Sequence, residues 1–505
     1  MSATRTATTA AAAVGAGAKG KGASSASPLV VHEKYGPADP TAGGRGKGFP
    51  SLFKANPKEK QYTWEEVAQH NTEQSCWVYI GNTVYDITPW LDRHPGGKEI
   101  LLLTAGRDIS DLFVTYHPFT DRAAEVIGKY KIGEISSTEF PQFQPDSGFY
   151  QECRQQVGEY FRKNKLDHKD PKAGVWRLAM FFALFAVCYV VLAQDQAWSL
   201  PVRVLAAFVL GVTQALPLLH TMHDASHLAI GSTPGWWRFM GRLCMDWFAG
   251  ASIYSWYNQH TIGHHVYTNV QGADPDLPVK IEGDIRRITP FQRGASFYRW
   301  QHVYLMVLYG VLGIKFRIQD VTDTIIDQTN GAIRVNQQST ADLAMQAFTK
   351  CFWFVWRILV PLCVFHCGLW SFAWTFLVAE LVTGYYLAFN FQVSHVSPQA
   401  VWPDLQIPMS DEWAQNQVST SIDYGHGSWL VALLTGALNY QSIHHLFPSV
   451  SQYHYPAIAP IVQRVCAKHG VRYNYLPDFW TAFKAHVTYL KEMGKQGIEV
   501  HPHMN

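Results

Sequence analysis

The sequence predicts a small soluble α+β domain followed by an all-α integral membrane domain with about four transmembrane helices. Charged residues make up 16% of the 505 residues and aromatic residues 14%, whereas soluble proteins are about 25% charged. Four apolar segments each approach the roughly 20 residues that a membrane-spanning helix needs. The net charge of +2 comes without a basic stripe, which argues against a nucleic-acid-binding protein.

Changes in composition divide the chain into five segments. Residues 1–50 are rich in Ala, Gly, Ser and Thr and lack an apolar run, so we expect no secretory signal. The eight cysteines form no CxxC pair, which indicates reduced thiols in a protein whose working face is cytosolic. The predicted segments are a disordered low-complexity tail at 1–58, a soluble domain at 59–136, a linker at 137–175, a membrane domain at 176–490 and a C-terminal tail at 491–505.

The soluble module shows both helix and strand signals. Thr63 and Glu66 have the spacing of a capping box before a short helix. Segments 77–80 and 83–87 are rich in aromatic and β-branched residues and flank a Gly-Asn turn, which predicts a hairpin. We therefore expect a compact α+β fold here.

Two histidines of this module stand in motifs that indicate a haem site. His94 opens the motif HPGG, and His117 lies in the motif YHP. Together with the preceding WVYIGNTVYDIT, these motifs closely resemble the haem-binding core of cytochrome b5. The resemblance implies a haem b with His94 and His117 as its axial ligands. A haem with both axial positions filled cannot readily bind oxygen, so its role is electron transfer.

The four apolar segments occur as two pairs. The first pair is 176–193 and 198–219, and the second is 352–369 and 371–393. A weaker run, 303–314, is too short to span, so we predict a helix at the membrane interface. If the haem module and the basic linker are cytosolic, each pair of spans returns the chain to the cytosolic side.

Eight histidines lie near the ends of these apolar stretches. Residues four apart share one face of a helix, as His223 with His227 and His260 with His264 do. Neutral imidazole is the commonest metal ligand among side chains, and the predicted topology puts every cluster on one membrane face. The sequence therefore predicts a metal site formed by His223, His227, His260, His264, His265, His395, His444 and His445.

The haem module indicates which metal this is. Imidazole alone suits zinc, copper, iron and nickel. An attached electron carrier has no use for zinc but is needed for oxygen activation. Because eight imidazoles exceed the ordinary coordination number of one ion, we expect two non-haem iron ions.

The histidine clusters resemble the three histidine boxes of membrane fatty acyl desaturases. They read HDASH from His223, HTIGHH from His260 and QSIHH from Gln441. A glutamine opening the third box, with an N-terminal cytochrome b5 domain, is typical of front-end desaturases, and GADPD, QDVTD and LNYQSIHHLFP are most similar to Δ5 types. The resemblance covers about 60–490. It implies an all-α desaturase domain with cytosolic boxes that uses O2 to insert a cis double bond into a 20-carbon polyunsaturated acyl chain.

The resemblance also implies residue roles. The seven box histidines and His395 become iron ligands. Gln441 is placed in the metal site too, at a position filled by histidine in many acyl-CoA desaturases, where a weakly binding amide would tune the iron. Asp224, Asp274 and Asp276 are candidates to orient ligand histidines, although Asp-Pro is also a common turn start. We expect a structural role for His220, His302, His366, His426 and His454.

Other functions on this scaffold stay open at this point. They are a Δ6, Δ8 or Δ4 front-end desaturase, a sphingolipid long-chain-base desaturase, an acyl hydroxylase, and a membrane electron carrier or haem-binding adaptor whose second domain holds no metal. The implied partners are O2, membrane lipid and a polyunsaturated fatty acyl-CoA or phospholipid. Electrons would come from a separate NADH-cytochrome b5 reductase, since the chain has no dinucleotide fingerprint. The implied location is the endoplasmic reticulum membrane, multi-pass, with a cytosolic haem domain.

Overall fold

The N-terminal domain is built on a five-stranded mixed sheet. The computed structural model describes residues 49–53, 56–280, 283–290, 292–403 and 409–495. Trp77 to Ile80 pair antiparallel with Thr83 to Asp86, as the turn signal predicts, and Gly81 has the positive φ of 60° that this turn requires. In spatial order the strands are Gln61–Tyr62, Lys131–Ile135, Thr83–Asp86, Ser75–Ile80 and Asn71–Thr72.

Short helices cover this sheet, and the first of them begins with the predicted capping box. The Thr63 hydroxyl accepts from the Glu66 N–H at 3.3 Å, and the Glu66 carboxylate accepts from the Thr63 N–H at 2.7 Å. The domain therefore has the expected α+β character. Its helices are Trp64–Ala68, Lys98–Thr104, Ser110–Tyr116 and Arg122–Ile127, with 3₁₀ turns at Thr88–Arg93 and Gly128–Tyr130.

Ordered structure begins before residue 59. Phe49–Pro50 pairs antiparallel with Ser137–Thr138, and Phe49 is buried. Segments 1–48 and 54–55 of the predicted tail lie outside the described residues, as does 496–505 of the C-terminal tail. The predicted linker contains a helix, Phe149–Asn164, and the last helix extends over Phe479–Lys495.

Among the residues that the structure describes, four helices are long and apolar enough to cross a membrane, as the sequence predicts. The first pair, Lys172–Ala193 and Leu200–Ser226, contains the predicted segments almost entirely. In the second pair, the predicted 352–369 is displaced, because the helix starts at Thr340, where the Ser339 side chain caps it, and ends at Val364. The fourth span is Leu369–His395.

His366 is therefore not within a span, contrary to the sequence prediction. It has a positive φ of 54° and lies exposed in the turn between the last two spans. A residue in the left-handed region ends a helix, and an apolar sequence run does not reveal such a break. The apolar run that we assigned to one helix is thus divided between a helix end and a turn.

The remaining helices surround the ends of the spans. The predicted interfacial run occupies Gln301–Leu308, a 3₁₀ turn at Tyr309–Val311 and part of Leu312–Val321, and it is not among the four candidate spans in the described chain. The others include Pro234–Arg242, Ile253–Trp256, His265–Tyr267, Trp413–Ser419, Trp429–Thr435, Gln441–Leu446 and Tyr455–His469. Short strand pairs join Thr329–Asn330 to Ile333–Arg334 and Asp423–Tyr424 to Tyr475–Leu476.

The second and fourth spans pack closely, and this contact aligns their histidine-bearing ends. The Thr383 hydroxyl donates to the Gly211 carbonyl oxygen at 2.9 Å. Glu380, fully buried, accepts from the Gln214 amide at 3.0 Å and from the Arg317 guanidinium at 2.5 Å. Because a buried carboxylate is costly unless paired, these bonds fix the register of the two helices.

The haem-type domain is docked on the helical domain through buried polar contacts. The Arg334 guanidinium donates to the Gly106 carbonyl oxygen at 2.8 Å and, at 2.7 and 2.8 Å, to both carboxylate oxygens of Glu139, just after this domain. The Asn336 amide donates to the Ala105 carbonyl oxygen at 3.0 Å, and the Ser449 hydroxyl donates to that of Thr115 at 2.8 Å. A bidentate arginine pair fixes orientation as well as distance, so the two domains have a defined relative position.

Candidate active site

The eight predicted histidines converge in one buried site, although the boxes are far apart in sequence. All eight are at most 3% exposed. Within each of the following groups, the candidate ligand nitrogens all lie within 4.8 Å of one another. The groups are His223, His227, His260 and His444; His264, His395 and His445; and His265, His444 and His445.

Local helix geometry explains how the second box contributes three ligands. A π-helix spans Tyr257–His264, so residues five apart lie above one another. His260 and His265 consequently face each other, with their Nε2 atoms 3.2 Å apart. The sequence predicted a shared face for His260 and His264 only from α-helical spacing, and the π-turn adds His265 to the same site.

Two carboxylates orient histidines of the second box, as the sequence suggested. His260 Nδ1 donates to Asp276 at 2.8 Å, and His264 Nδ1 donates to Asp274 at 2.9 Å. A carboxylate can only accept here, so each proton lies on Nδ1 and each Nε2 keeps its lone pair. Metal-binding histidines usually donate their other nitrogen in this way.

Three further histidines have their Nδ1 atoms held by partners from other segments. His445 Nδ1 donates to the Gln417 side-chain oxygen at 2.7 Å, and His395 Nδ1 donates to the backbone oxygen of Thr420 at 3.2 Å. His444 Nδ1 lies 3.2 Å from the Tyr455 hydroxyl. Sequence reasoning missed these partners because none lies in a motif with its histidine.

One partner comes from the haem-type domain. The Tyr116 hydroxyl lies 2.9 Å from Nδ1 of His227, and the two rings are stacked at 22° with their centroids 6.5 Å apart. Tyr116 directly precedes the predicted haem ligand His117 in the chain. No pattern in the sequence links Tyr116 to the first box, so this contact too was missed.

The free nitrogens fit a bound metal. The Nε2 atoms of His227 and His444 are buried without a hydrogen-bond partner among the described residues. Nε2 of His223 lies 3.3 Å from Nε2 of His260. Two imidazole nitrogens at this separation share either a proton or a cation, and metal–imidazole bonds of about 2 Å can be made from both.

The electrostatics favour the neutral imidazoles that metals bind. Burial lowers the pKa of His227, His265, His444 and His445 well below the usual value for histidine. For His264 burial also lowers the pKa, but the charge and hydrogen bond of Asp274 outweigh it and raise the pKa overall. A metal cation would displace any proton held at these nitrogens.

Gln441 lies in the second group of histidines. Its amide nitrogen is 2.9 Å from Nε2 of His395 and 3.1 Å from Nε2 of His445, while its oxygen is buried without a partner among the described residues. Rotating the amide exchanges nitrogen and oxygen without moving the side chain. In that orientation the oxygen points between the two imidazoles, where a metal would bind.

The suggested role for Asp224 is wrong. Its carboxylate accepts from the Ser451 hydroxyl at 3.1 Å and from the Gln452 amide at 3.0 Å, so it does not hold a box histidine. Asp224 directly follows His223, and because neighbouring residues are about 100° apart around a helix, its side chain points away from that of His223. Instead it joins the first box to the turn after the third box.

The other single histidines lie outside the cluster. His220 lies 2.8 Å from the Leu433 carbonyl oxygen, His426 lies 2.9 Å from the Asp423 carboxylate, and His454 lies 3.0 Å from the Asp167 carbonyl oxygen. These hydrogen bonds agree with the structural roles expected for them. His302 does not join any metal-binding group among the described residues either.

The two histidines of the soluble domain face each other. The ring centroids of His94 and His117 are 6.4 Å apart, and the rings are inclined by 67°. His94 Nδ1 donates to the Gly97 carbonyl oxygen at 3.1 Å and His117 Nδ1 to that of Phe113 at 2.8 Å, which leaves both Nε2 atoms free. This separation accommodates one iron with two bonds of about 2 Å.

The glycines of the HPGG motif allow this arrangement. A Cβ atom on Gly96 would lie 2.6 Å from Cε1 of His94, too close for any side chain. Burial lowers the pKa of both His94 and His117, so the neutral rings that ligate haem are favoured. The pair therefore fits axial ligation of a haem.

Comparisons with known proteins agree with the geometry. The family model "Cytochrome b5-like Heme/Steroid binding domain" matches residues 63–136, and "Fatty acid desaturase" matches 197–477. The chain is 42% identical to "Delta(5) fatty acid desaturase A" of Dictyostelium discoideum over 86% of this chain and 94% of that protein. It is 39% identical to "Acyl-lipid (8-3)-desaturase" of Mortierella alpina over 86% of this chain and 97% of that protein.

One solved structure is similar in sequence to part of the chain. The cytochrome b5 of Ostreococcus tauri virus 2 is 37% identical, covers 15% of this chain and 95% of its own, and gives a TM-score of 0.14. The cytochrome b5-like domain implies a haem, and the histidine clusters are consistent with iron. With a family model matching more than half of its length, the chain belongs to the fatty acid desaturase family, as a membrane oxidoreductase of acyl lipids with a fused cytochrome b5-like domain.

Proposed function

We propose that this protein is a front-end, Δ5-type fatty acyl desaturase. It uses O2 to insert a cis double bond into a 20-carbon polyunsaturated acyl chain, with electrons relayed through its own haem domain. The observation that carries this proposal is the convergence of eight buried histidines next to a docked haem-type domain. The Δ5 assignment rests on relatives named as Δ5 desaturases at 37–42% identity.

Two iron ions occupy the histidine cluster in this proposal. One is held by the first group of four histidines and the other by the second group of three, with His265 beside both. Gln441 belongs to the second ion as a weak ligand. The set is His223, His227, His260, His264, His265, His395, Gln441, His444 and His445.

The haem is held by His94 and His117, whose free nitrogens face each other. Bound iron supplies oxygen activation, and the haem supplies electrons. Per turnover the acyl chain loses two hydrogen atoms, the haem domain passes on two electrons, and O2 with two protons from the medium becomes two water molecules. No dinucleotide-binding motif accompanies this chemistry, so the electrons originate outside the chain.

The protein's own contribution is to orient the histidine rings and to shield the site from water. The ring orientation and tautomer of four histidines are fixed by hydrogen bonds to their Nδ1 atoms. The acceptors are Asp274, Asp276, Gln417 and Thr420. The buried cluster excludes bulk water, which protects an oxidant strong enough to attack a methylene group. Chain-length and position selection then depend on how far the acyl chain extends past the cluster.

The partners and location follow from the same proposal. The acyl chain arrives on coenzyme A or on a phospholipid, and a separate NADH-cytochrome b5 reductase reduces the haem. The protein spans the endoplasmic reticulum membrane several times, with the haem domain and the histidine cluster on the cytosolic side. Two features support this topology. The four spans form two pairs, each of which returns the chain to the side from which it started, and the haem domain contacts the first box.

Expression in yeast tests the function directly. Cells that express the chain are supplied separately with 18-, 20- and 22-carbon polyunsaturated precursors, and the position of each new double bond is determined by mass spectrometry. We expect a new Δ5 bond in 20-carbon chains only. A His264→Ala variant is the inactive control. A new bond in long-chain bases, a hydroxylated product, or a different position in the acyl chain would replace this proposal.

A further inference from the structure

The haem domain contacts the histidine cluster through the side chain of Tyr116. Tyr116 ends the helix Ser110–Tyr116, and the next residue is His117, a proposed axial ligand of the haem. The Tyr116 hydroxyl is within hydrogen-bond distance, 2.9 Å, of Nδ1 of His227, and Nε2 of His227 faces the cluster without a partner among the described residues. The Tyr116 phenol therefore connects the two proposed metal sites.

The surrounding contacts hold this phenol in place. The Ser449 hydroxyl, shortly after the third box, donates to the carbonyl oxygen of Thr115 at 2.8 Å. On the other side, His117 Nδ1 is held by the Phe113 carbonyl oxygen, and the Arg154 guanidinium donates to that of Pro118 at 2.8 Å. The backbone on both sides of Tyr116 is thus fixed, one side by the desaturase domain.

The chemistry of the pair suits a positioning and conducting role. If His227 binds metal through Nε2, its proton lies on Nδ1 and is donated to the phenol oxygen. Covalent bonds from His117 to the Tyr116 ring and one hydrogen bond then form a continuous connection.

We propose that Tyr116 is the contact through which electrons pass from the haem domain to the histidine cluster, by way of His227. This inference rests on the proposed function. Each electron leaves a ferrous haem, which becomes ferric, and reduces one ferric ion of the cluster to ferrous. Two such transfers precede each desaturation. Tyr116 undergoes no net oxidation and keeps its proton.

Flash photoreduction of the full-length holoprotein under nitrogen tests this inference without turnover. The haem is reduced by a light pulse, and its reoxidation is followed by absorbance in the absence of O2 and acyl substrate. We expect a first-order phase whose rate does not depend on protein concentration. In Tyr116→Phe, which keeps the ring and removes the hydroxyl, this phase slows about 10-fold or more, as expected when a metal ligand loses its outer partner.

Tyr150→Phe is the matched control. It removes another hydroxyl that joins the N-terminal part to the third-box helix, by donating to the Leu446 carbonyl oxygen at 2.7 Å. Its reoxidation rate should stay near that of the wild type. Rates are compared only for protein whose haem and non-haem iron contents have been measured and equalised by reconstitution.

The outcomes separate this inference from the proposed function. An unchanged rate in Tyr116→Phe, equal slowing in both variants, or a rate proportional to protein concentration would overturn the role of Tyr116. Wild-type protein that binds no non-haem iron would instead overturn the proposed function. A slow phase confined to Tyr116→Phe at normal iron content supports the inference.

Discussion

Asp276 provides a sharp test of how the histidine cluster is built. One of its carboxylate oxygens accepts from His260 Nδ1 at 2.8 Å and the other from the Gln259 amide at 2.6 Å. Burial alone would raise the pKa of this carboxyl group, but the hydrogen bond from His260 and the nearby histidines hold it well below its usual range. Asp276→Asn replaces one carboxylate oxygen with an amide nitrogen. In either orientation of the amide, this nitrogen faces a donor, which is His260 Nδ1 or the Gln259 amide.

The size of the effect follows from these contacts. A hydrogen bond to a charged group contributes about 1.5–3 kcal/mol, and about 1.4 kcal/mol corresponds to a factor of ten in binding. If the lost bond orients His260 for metal binding, iron affinity should fall about 10- to 100-fold, the range typical of such outer partners. Desaturation at limiting iron should fall in parallel.

Chelator competition under anaerobic conditions measures the iron affinity. The haem absorbance of each sample serves as an internal count of folded chains. Asp246→Asn is the control, since Asp246 is also buried and accepts from a backbone N–H, that of Ile253, at 2.8 Å, without bonding to a histidine. Iron affinity of Asp276→Asn equal to wild type, or an equal loss in Asp246→Asn, would refute the reasoning.

Two further predictions concern the haem and the packing of the spans. His117→Ala should abolish the haem absorbance while the non-haem iron content is kept, whereas His454→Ala, which alters a half-buried histidine outside the cluster, should leave both unchanged. Retained six-coordinate haem in His117→Ala would contradict the assignment. Gly384→Ala should lower the free energy of unfolding by about 1–3 kcal/mol, and with it the thermal unfolding midpoint, because a Cβ atom there overlaps the Gly310 carbonyl oxygen. In the control Gly235→Ala, the added Cβ atom has no neighbour within 4 Å. An unchanged thermal unfolding midpoint in Gly384→Ala would contradict the close packing at Gly310.

Some features could be predicted from the sequence because they depend on local patterns. The capping box at Thr63 and the hairpin around Gly81 each extend over a few residues, and each apolar span is one continuous segment, so local spacing and composition determine the geometry. The displaced third span marks the limit. Hydropathy does not locate the cap at Ser339 or the left-handed residue at His366.

The sequence by itself determined which side chains are available for the chemistry. It supplied the histidines, their clustering at the ends of apolar helices and the pairing of a haem module with them, since residue type and spacing are properties of the chain. The resemblance to desaturases was likewise visible from short motifs.

Only the tertiary structure decided how those side chains are held. The tautomer of each histidine depends on its second partner, and the partners of His227, His395 and His445 come from segments distant in sequence. The same long-range packing turned Asp224 away from the cluster and brought Tyr116 against it. Hydrogen bonds act over about 3 Å, so which groups form them is settled only when the helices and the two domains are packed together.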